Sequence, residues 1–158
     1  MPPTPLVSII INNYNYARYL GQAIDSALGQ CYAPVEVIVV DDGSTDDSRQ
    51  VMARYAGRLT PVFKDNGGQA SAFNAGFARS RGEVIIFLDA DDVLCPHVAG
   101  AVVGALQANP GAVKVHFRLE IIDASGCGTG QVRPPWHQPL PSGDLRSLLR
   151  TCPDDIRW

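Results

Sequence analysis

Three short apolar segments, each followed directly by a cluster of polar residues, constrain the fold of this chain more than any other feature. Residues 7–11, 35–40 and 84–88 are rich in valine and isoleucine and too brief for helices, so they predict buried β-strands. The segments between them have helical periodicity, as in residues 17–30, where an apolar side chain recurs every four positions. Strands that alternate with helices predict parallel β-α-β units. We therefore expect an α/β fold with a Rossmann-like, mostly parallel sheet and helices on both of its faces.

The alternation continues to about residue 118, and we treat residues 1–118 as one domain. Ser44 is the predicted N-cap of the second helix, with Asp47 three residues later completing a box-like pair. The remaining predicted elements of this domain are a helix over 44–55, a strand over 60–63, a helix that begins at residue 67 and a helix over 96–109.

The pattern changes after residue 118, and residues 119–158 are expected to begin a second region. Four prolines between residues 133 and 141 exclude regular structure there. The predicted elements are a strand over 119–123, a turn over 124–130, an extended linker over 133–141 and a short helix over 142–150.

Composition excludes several classes of protein. With 158 residues, of which 46% are hydrophobic and 18% charged, the chain is expected to form a compact core. Its net charge of −3 argues against a nucleic-acid partner, because such binding needs clustered Lys and Arg. No apolar run approaches the roughly 20 residues that span a bilayer, so we expect a cytoplasmic protein without a transmembrane segment. The four cysteines are widely spaced and are predicted to be free thiols.

Three polar clusters follow the three predicted strands, at residues 12–15, 41–44 and 89–92. In an open parallel sheet, ligands bind outside the carboxyl ends of the strands, where loops and helix N-termini converge. These clusters therefore predict one binding crevice.

The cluster at residues 89–92 contains the carboxylates of Asp89, Asp91 and Asp92. Three carboxylates so close together repel one another unless a cation lies among them. Mg²⁺ or Mn²⁺ fits, because these ions take oxygen ligands and leave positions for water and substrate phosphates. The alternative interpretation is an acidic helix N-terminus that the helix dipole favours.

The pair Asp41 and Asp42 also has two interpretations. These residues can help to cap the following helix, or a carboxylate can accept a hydrogen bond from the ring N–H of uracil, thymine or guanine. Asn12 and Tyr14 can add a hydrogen bond and an aromatic surface for a base, although Tyr14 alone is equally consistent with ordinary packing.

Two common phosphate-binding motifs are absent from the sequence. It contains no G-x-x-x-x-G-K-[ST], and the first strand is followed by Asn-Asn-Tyr-Asn, where a dinucleotide fold needs G-x-G-x-x-G. Walker-type NTPases and NAD-dependent enzymes are therefore excluded.

Four motif stretches, at residues 7–15, 37–46, 66–76 and 81–92, occur in an order that resembles the family 2 glycosyltransferases of the GT-A fold. The resemblance covers residues 7 to about 112 and marks the chain as the part of such an enzyme that binds the nucleotide-sugar donor. The family usually has Pro-Thr at the positions of Asn12 and Asn13, and this departure leaves the turn intact.

The resemblance implies a role for each matching position. Asn12 and Tyr14 would line the base pocket, and Asp42, with Asp41 beside it, would contact the base. In the D-x-D motif, one carboxylate tends to meet the ribose and another the metal that bridges the diphosphate. We expect Asp91 to be the metal ligand, with Asp89 second and Asp92 as a rival. The donor-binding set implied by the resemblance is Asn12, Tyr14, Asp41, Asp42, Asn66, Gly68, Asn74, Asp89 and Asp91.

The implied reaction is inverting transfer of a sugar from a nucleoside diphosphate sugar, above all a UDP-sugar, to an acceptor hydroxyl, with Mn²⁺ or Mg²⁺. Family members usually supply the general base on a segment after a Gly-Gly-Phe-Asp-like stretch, which this sequence does not contain. We therefore expect a truncated chain without that base, and we expect Asp154 and Asp155 to lie in a solvated terminus.

The acceptor implied by the resemblance is a saccharide, a lipid-linked saccharide or a protein, in cell-surface polysaccharide biosynthesis, with peripheral membrane association as an option. Three other functions stay open. The first is a non-catalytic module that binds a nucleotide-sugar. The others are a nucleotidyltransferase, which normally has a Gly-rich loop with a basic residue after its first strand, and a purely structural domain.

Overall fold

The structure is a computed structural model and describes residues 4–138. The predicted helix over 142–150, the end of the linker, and Asp154 and Asp155 lie outside the described residues. In chain order the elements are β1 (Val7–Asn13), α1 (Ala17–Leu28), β2 (Val35–Asp41), α2 (Ser48–Ala53), β3 (Thr60–Phe63), α3 (Gln69–Phe77), β4 (Val84–Asp89), α4 (Val98–Ala108), β5 (Leu119–Ile122) and β6 (Gly128–Arg133).

Four of the strands form one parallel sheet in the order β3-β2-β1-β4. β1 and β2 lie at its centre, which agrees with their nearly complete burial. The predicted alternation of strands and helices, and the parallel sheet that follows from it, are confirmed.

The two faces of the sheet are covered by different helices. Because side chains alternate along a strand, Ile10 and Ile38 lie on one face, where they pack with Ala72 of α3. Ile9 and Ile11, also fully buried, lie on the opposite face. α1 contacts β1 and β2 and packs against α2, so these two helices cover that second face. The predicted cover on both faces is therefore confirmed.

Gly76 lets α3 approach the sheet closely. A Cβ atom at this position would overlap Cγ2 of Ile10 and lie 3.1 Å from Cγ2 of Val40. Any larger residue must push the helix or the core apart. The placement of α3 therefore depends on a side chain of minimal size at position 76.

The predicted start of the second helix is wrong. α2 begins at Ser48 and not at Ser44. The Ser44 hydroxyl instead accepts hydrogen bonds from the Asn13 side chain, at 3.1 Å, and from the Asn15 backbone, at 2.9 Å. Ser44 is thus bound to the loop that follows β1 and does not cap α2.

Residues 109–138 belong to a second compact unit, which divides from the first after Ala108. Its strands β5 and β6 pair antiparallel as a hairpin. The predicted strand near residue 119 is confirmed, but the predicted turn over 124–130 is too long, because Gly128–Arg133 is a strand. Its backbone pairs with β5 although its glycines do not favour a strand.

Within residues 4–138, none of the helices has the length and apolarity that a membrane crossing requires. Cys31, Cys95 and Cys127 are free, as predicted.

Candidate functional site

The polar residues that end β1, β2 and β4 are brought together by the register of the sheet. Asn12 lies opposite Asp89 across the β1–β4 pair, and Asn13 lies opposite Asp41 across the β1–β2 pair. The three predicted clusters therefore meet at one edge of the sheet, as the parallel arrangement required.

A cleft of about 360 Å³ opens at this edge. Tyr14 forms part of its wall and is 47% exposed, so its ring is available to a ligand. The lining includes these residues of the predicted donor-binding set: Asn12, Tyr14, Asp42, Asn66, Gly68, Asp89 and Asp91.

Three other predicted residues do not line this cleft. Asp41 is fully buried on the face of α1 and α2. Asn74 is exposed on α3. Asp92 follows the cleft-lining Asp91 in the chain.

The buried carboxylate of Asp41 accepts three hydrogen bonds. Its Oδ1 accepts hydrogen bonds from Asn13 Nδ2 and from the Ser44 backbone N–H, both at 3.3 Å. Its Oδ2 accepts one from Arg49 Nε at 3.1 Å. These contacts join the carboxyl end of β2 to β1 and α2. The arrangement supports the edge of the sheet that carries the cleft.

Asp42 points the other way and holds the loop before α3. Lys64 Nζ donates a hydrogen bond to its Oδ1. The backbone N–H of Gly67 donates to both carboxylate oxygens at 3.1 Å, and that of Gly68 donates to Oδ2 at 2.7 Å. Asn66 Nδ2 donates to the Asp42 backbone oxygen at 3.1 Å. One carboxylate thus fixes the conformation of residues 64–68.

The pKa of Asp42 lies below its usual value because of these contacts. Burial raises the pKa, but the hydrogen bond and charge of Lys64 and the two backbone N–H donors outweigh it. Asp42 is therefore ionised at neutral pH and offers only acceptor oxygens to a ligand.

Gly68 has the backbone conformation φ +84°, ψ 169° as it leads into α3. Residues with a Cβ atom rarely adopt this conformation. It directs the Gly68 N–H to Asp42. The backbone angles therefore require a glycine here. Crowding does not, because a Cβ atom added at this position would have no other atom within 4 Å.

The acidic end of the cleft contains Asp89 and Asp91, with Asp92 following. Burial raises the pKa of Asp92, and the negative charges of Asp89 and Asp91 raise it further. A cation would relieve this repulsion. Within the described part of the chain, however, no three His, Cys, Asp or Glu side chains converge as ligands for a metal ion.

Asp89 is held by two side-chain amides. Gln69 Nε2 donates to Asp89 Oδ1 at 2.7 Å. When the Asn12 amide is oriented to satisfy its neighbours, its nitrogen donates to the same oxygen at 2.7 Å and to the Leu88 backbone oxygen at 3.1 Å. One carboxylate oxygen of Asp89 is thus occupied by protein donors.

Sequence reasoning missed three residues of this region. Lys64 pairs with Asp42, Gln69 binds Asp89, and Tyr16 lines the cleft beside Tyr14. A usable signal existed for Lys64, because it directly follows β3 at the same edge of the sheet. Gln69 is the first residue of α3, and Tyr16 directly precedes α1. The sequence does not reveal where side chains at such positions point.

The sequence profile of glycosyl transferase family 2 matches residues 8–154, which is nearly the whole chain. The chain belongs to this family. Among its relatives, an uncharacterized glycosyltransferase of a Nostoc species is 48% identical over 147 residues, which cover 90% of this chain and 45% of that protein. The chondroitin synthase of Pasteurella multocida is 44% identical over 95 residues, which cover 58% of this chain and 10% of that protein. The chain thus spans less than half the length of these two relatives.

Solved structures of other glycosyltransferases share the fold. S. aureus TarS 1–349 in complex with UDP-GlcNAc superposes with a TM-score of 0.59 at 26% identity, over 66% of this chain and 32% of that one. The mannosyltransferase PcManGT of Pyrobaculum calidifontis, in complex with GDP-Man and Mn²⁺, gives a TM-score of 0.55 at 26% identity, over 67% and 32%. These neighbours have the GT-A fold, so the predicted GT-A fold and family are confirmed.

Proposed function

We propose that the cleft binds the nucleoside diphosphate part of a UDP-sugar and that the protein transfers the sugar to an acceptor hydroxyl with inversion. The observation that carries the proposal is the register that puts Asn12 opposite Asp89 at the mouth of a 360 Å³ cleft. The likeness to TarS, solved with UDP-GlcNAc, supports a nucleotide-sugar as the ligand.

The base is proposed to lie against Tyr14, with Asn12 and Asp42 as hydrogen-bond partners. An exposed aromatic ring offers a stacking surface, and an ionised carboxylate accepts the ring N–H of uracil. Both oxygens of Asp42 already accept protein donors, so the base adds one hydrogen bond to a carboxylate whose position is fixed. Asn66 and Gly68 continue the wall of the site along the nucleotide.

Asp41 takes an indirect role in this proposal, because it stabilises the edge of the sheet through Asn13 and Arg49. Asn74 is exposed on α3 and does not line the cleft, so we propose no contact between Asn74 and the nucleotide.

A divalent cation is proposed at the acidic end of the cleft, with Asp91 as its first protein ligand, Asp89 as its second and Asp92 as a rival. The residues fit such an ion: burial and then the negative charges of Asp89 and Asp91 raise the pKa of Asp92, and a positive charge would relieve the repulsion among these carboxylates. One or two carboxylates suffice for Mn²⁺ or Mg²⁺ when diphosphate oxygens and water complete the coordination. The bound ion would neutralise the charge that grows on the leaving diphosphate.

The acceptor is proposed to be a saccharide, free or lipid-linked, or a protein, and the protein is proposed to act in the cytoplasm in cell-surface polysaccharide synthesis. Support comes from the relatives named chondroitin synthase and hyaluronan synthase, both of Pasteurella multocida. A general base must take the proton of the attacking hydroxyl, and it belongs to the acceptor side of the site.

Incubation of the chain with a panel of UDP-sugars, Mn²⁺ and saccharide acceptors tests the transfer. Release of UDP together with a product of inverted anomeric configuration supports the proposed enzyme. Binding of UDP-sugar without any release of UDP would support the alternative of a non-catalytic nucleotide-sugar-binding module.

A further inference from the structure

The first residue of α3, Gln69, is in contact with the acidic end of the cleft. Its Nε2 atom lies 2.7 Å from Asp89 Oδ1. Gln69 and Asp89 both line the cleft. The contact links two elements 20 positions apart, so it is set by the tertiary structure and not by local helix geometry.

The alternation of side chains explains why this contact forms. Asn12 and Asp89 occupy the positions on the sheet face that α3 covers, as Ile10 and Phe87 do two positions earlier. The Phe87 ring packs against Phe73 of α3 with ring centroids 4.7 Å apart, so a side chain of α3 reaches β4 on this face.

The two oxygens of Asp89 have different surroundings. Oδ1 accepts hydrogen bonds from both Gln69 and Asn12, at 2.7 Å each. Oδ2 accepts no side-chain or backbone donor from residues 4–138. Hydrogen bonds to a charged group are stronger than those between neutral groups, and two of them on one oxygen restrict rotation of the carboxylate.

We propose that Gln69 is a positioning residue, which together with Asn12 fixes the Asp89 carboxylate so that its second oxygen is presented to the donor nucleotide and its cation. This inference rests on the proposed function of the cleft. Gln69 acts through Asp89 and needs no contact with the sugar. Preorganisation of this kind reduces the conformational entropy that the carboxylate loses when the ligand binds.

The test compares Gln69→Met with a matched control, Gln50→Met. Gln50 also lies in the first turn of a helix, and its Nε2 donates to Asp47 Oδ1 at 2.8 Å, away from the cleft. Methionine keeps the length and helix propensity of glutamine and removes the amide donor. UDP binding is measured by calorimetry at several Mn²⁺ concentrations, and the thermal midpoint is recorded for each variant.

We expect Gln69→Met to bind UDP about three- to tenfold more weakly in Mn²⁺, as the cost of ordering one side chain on binding predicts, and to need more Mn²⁺ for half-maximal binding. Gln50→Met is expected to bind as the wild type does. Both variants should keep the wild-type thermal midpoint. If Gln69 had a merely structural role, Gln69→Met would instead lower that midpoint without changing the Mn²⁺ requirement.

A second readout needs no ligand. The side-chain ¹⁵NH₂ resonances of Gln69 should move in Asp89→Ala, while those of Gln50 stay in place. If Gln69→Met bound UDP with wild-type affinity, or if the Gln69 resonances did not move in Asp89→Ala, this inference would be overturned and the proposed function would stand. Failure of the wild-type chain to bind UDP would instead overturn the proposed function and this inference with it.

Discussion

The backbone N–H of Gly68 donates a 2.7 Å hydrogen bond to Asp42 Oδ2, and this bond joins the start of α3 to the residue that follows β2. Lys64 and Gly67 bind the same carboxylate. The wall of the cleft formed by residues 66–69 is therefore held in place by one side chain at the end of a central strand. Loss of that side chain should affect both stability and ligand binding.

Asp42→Asn is expected to destabilise the fold by about 1–3 kcal/mol, because it weakens several hydrogen bonds and leaves Lys64 without its anionic partner. The Asp42 side chain is only 3% exposed, so water replaces these contacts poorly. Urea denaturation at pH 7 measures the change. Asp65→Asn, an exposed carboxylate in the same loop, is the control and should be neutral. Equal effects of the two variants would contradict the anchoring role.

The same carboxylate predicts a dependence of stability on pH. The pKa of Asp42 in the folded chain lies below its ordinary value of 3.8, since Lys64 and the loop N–H groups outweigh the effect of burial. The unfolded state thus binds more protons in this range. The stabilisation is complete above about pH 5 and is lost as pH falls through the folded-state pKa. Between pH 7 and about pH 3, the free energy of unfolding should fall less steeply for Asp42→Asn than for the wild type. Equal slopes for the two proteins would show that Asp42 does not contribute to the pH dependence.

Asp46 contributes in the same direction. Burial raises its pKa, but hydrogen bonds from Ser48 and from the Ala17 backbone, at 2.9 Å, bring it below the ordinary value. Asp46→Asn should therefore also reduce the fall in the free energy of unfolding between pH 7 and about pH 3. We expect the effects of the Asp42 and Asp46 substitutions to add, because the two residues share no hydrogen-bond partner.

Gly76→Ala tests the close approach of α3 to the sheet. The added methyl group would overlap Ile10 Cγ2 in the core, and such overpacking typically costs about 1–3 kcal/mol. Gly104→Ala is the matched control, because Gly104 lies within α4 with no atom near its new methyl group. Helix propensity alone should make that control neutral or more stable by about 0.5–1 kcal/mol. A Gly76→Ala chain as stable as Gly104→Ala would contradict the described packing.

Much of this architecture was predictable from the sequence, because valine- and isoleucine-rich strands and their polar ends carry a strong local signal. Asp41 and Asp42 show where that signal stops. They are adjacent and identical, yet one is buried and accepts a hydrogen bond from Arg49, whereas the other holds the loop before α3. The period of two in a strand separates neighbouring residues onto opposite faces, but nothing in the sequence says which face α3 will cover.

Long-range contacts account for the other differences. The hydroxyl of Ser44 has the chemistry of a helix cap, but Asn13 and Asn15, some 30 positions earlier, bind it instead. The strand Gly128–Arg133 forms because β5 offers it a partner, which glycine-containing sequence alone does not indicate. Local patterns therefore located the site, and the tertiary structure assigned the partners of each side chain.

The most direct test of the central claim is calorimetric titration of UDP into the wild-type chain and into Asp91→Ala, each with and without Mn²⁺. UDP, thymidine diphosphate and guanosine diphosphate present a ring N–H to Asp42, whereas adenosine diphosphate does not and serves as the control ligand. We predict that the wild type binds UDP only with Mn²⁺ and in preference to adenosine diphosphate. For Asp91→Ala, we predict that Mn²⁺ no longer increases the affinity for UDP. Equal binding of UDP with and without Mn²⁺, or no binding of any of these nucleotides, would contradict the assignment of this cleft as a nucleotide-sugar site.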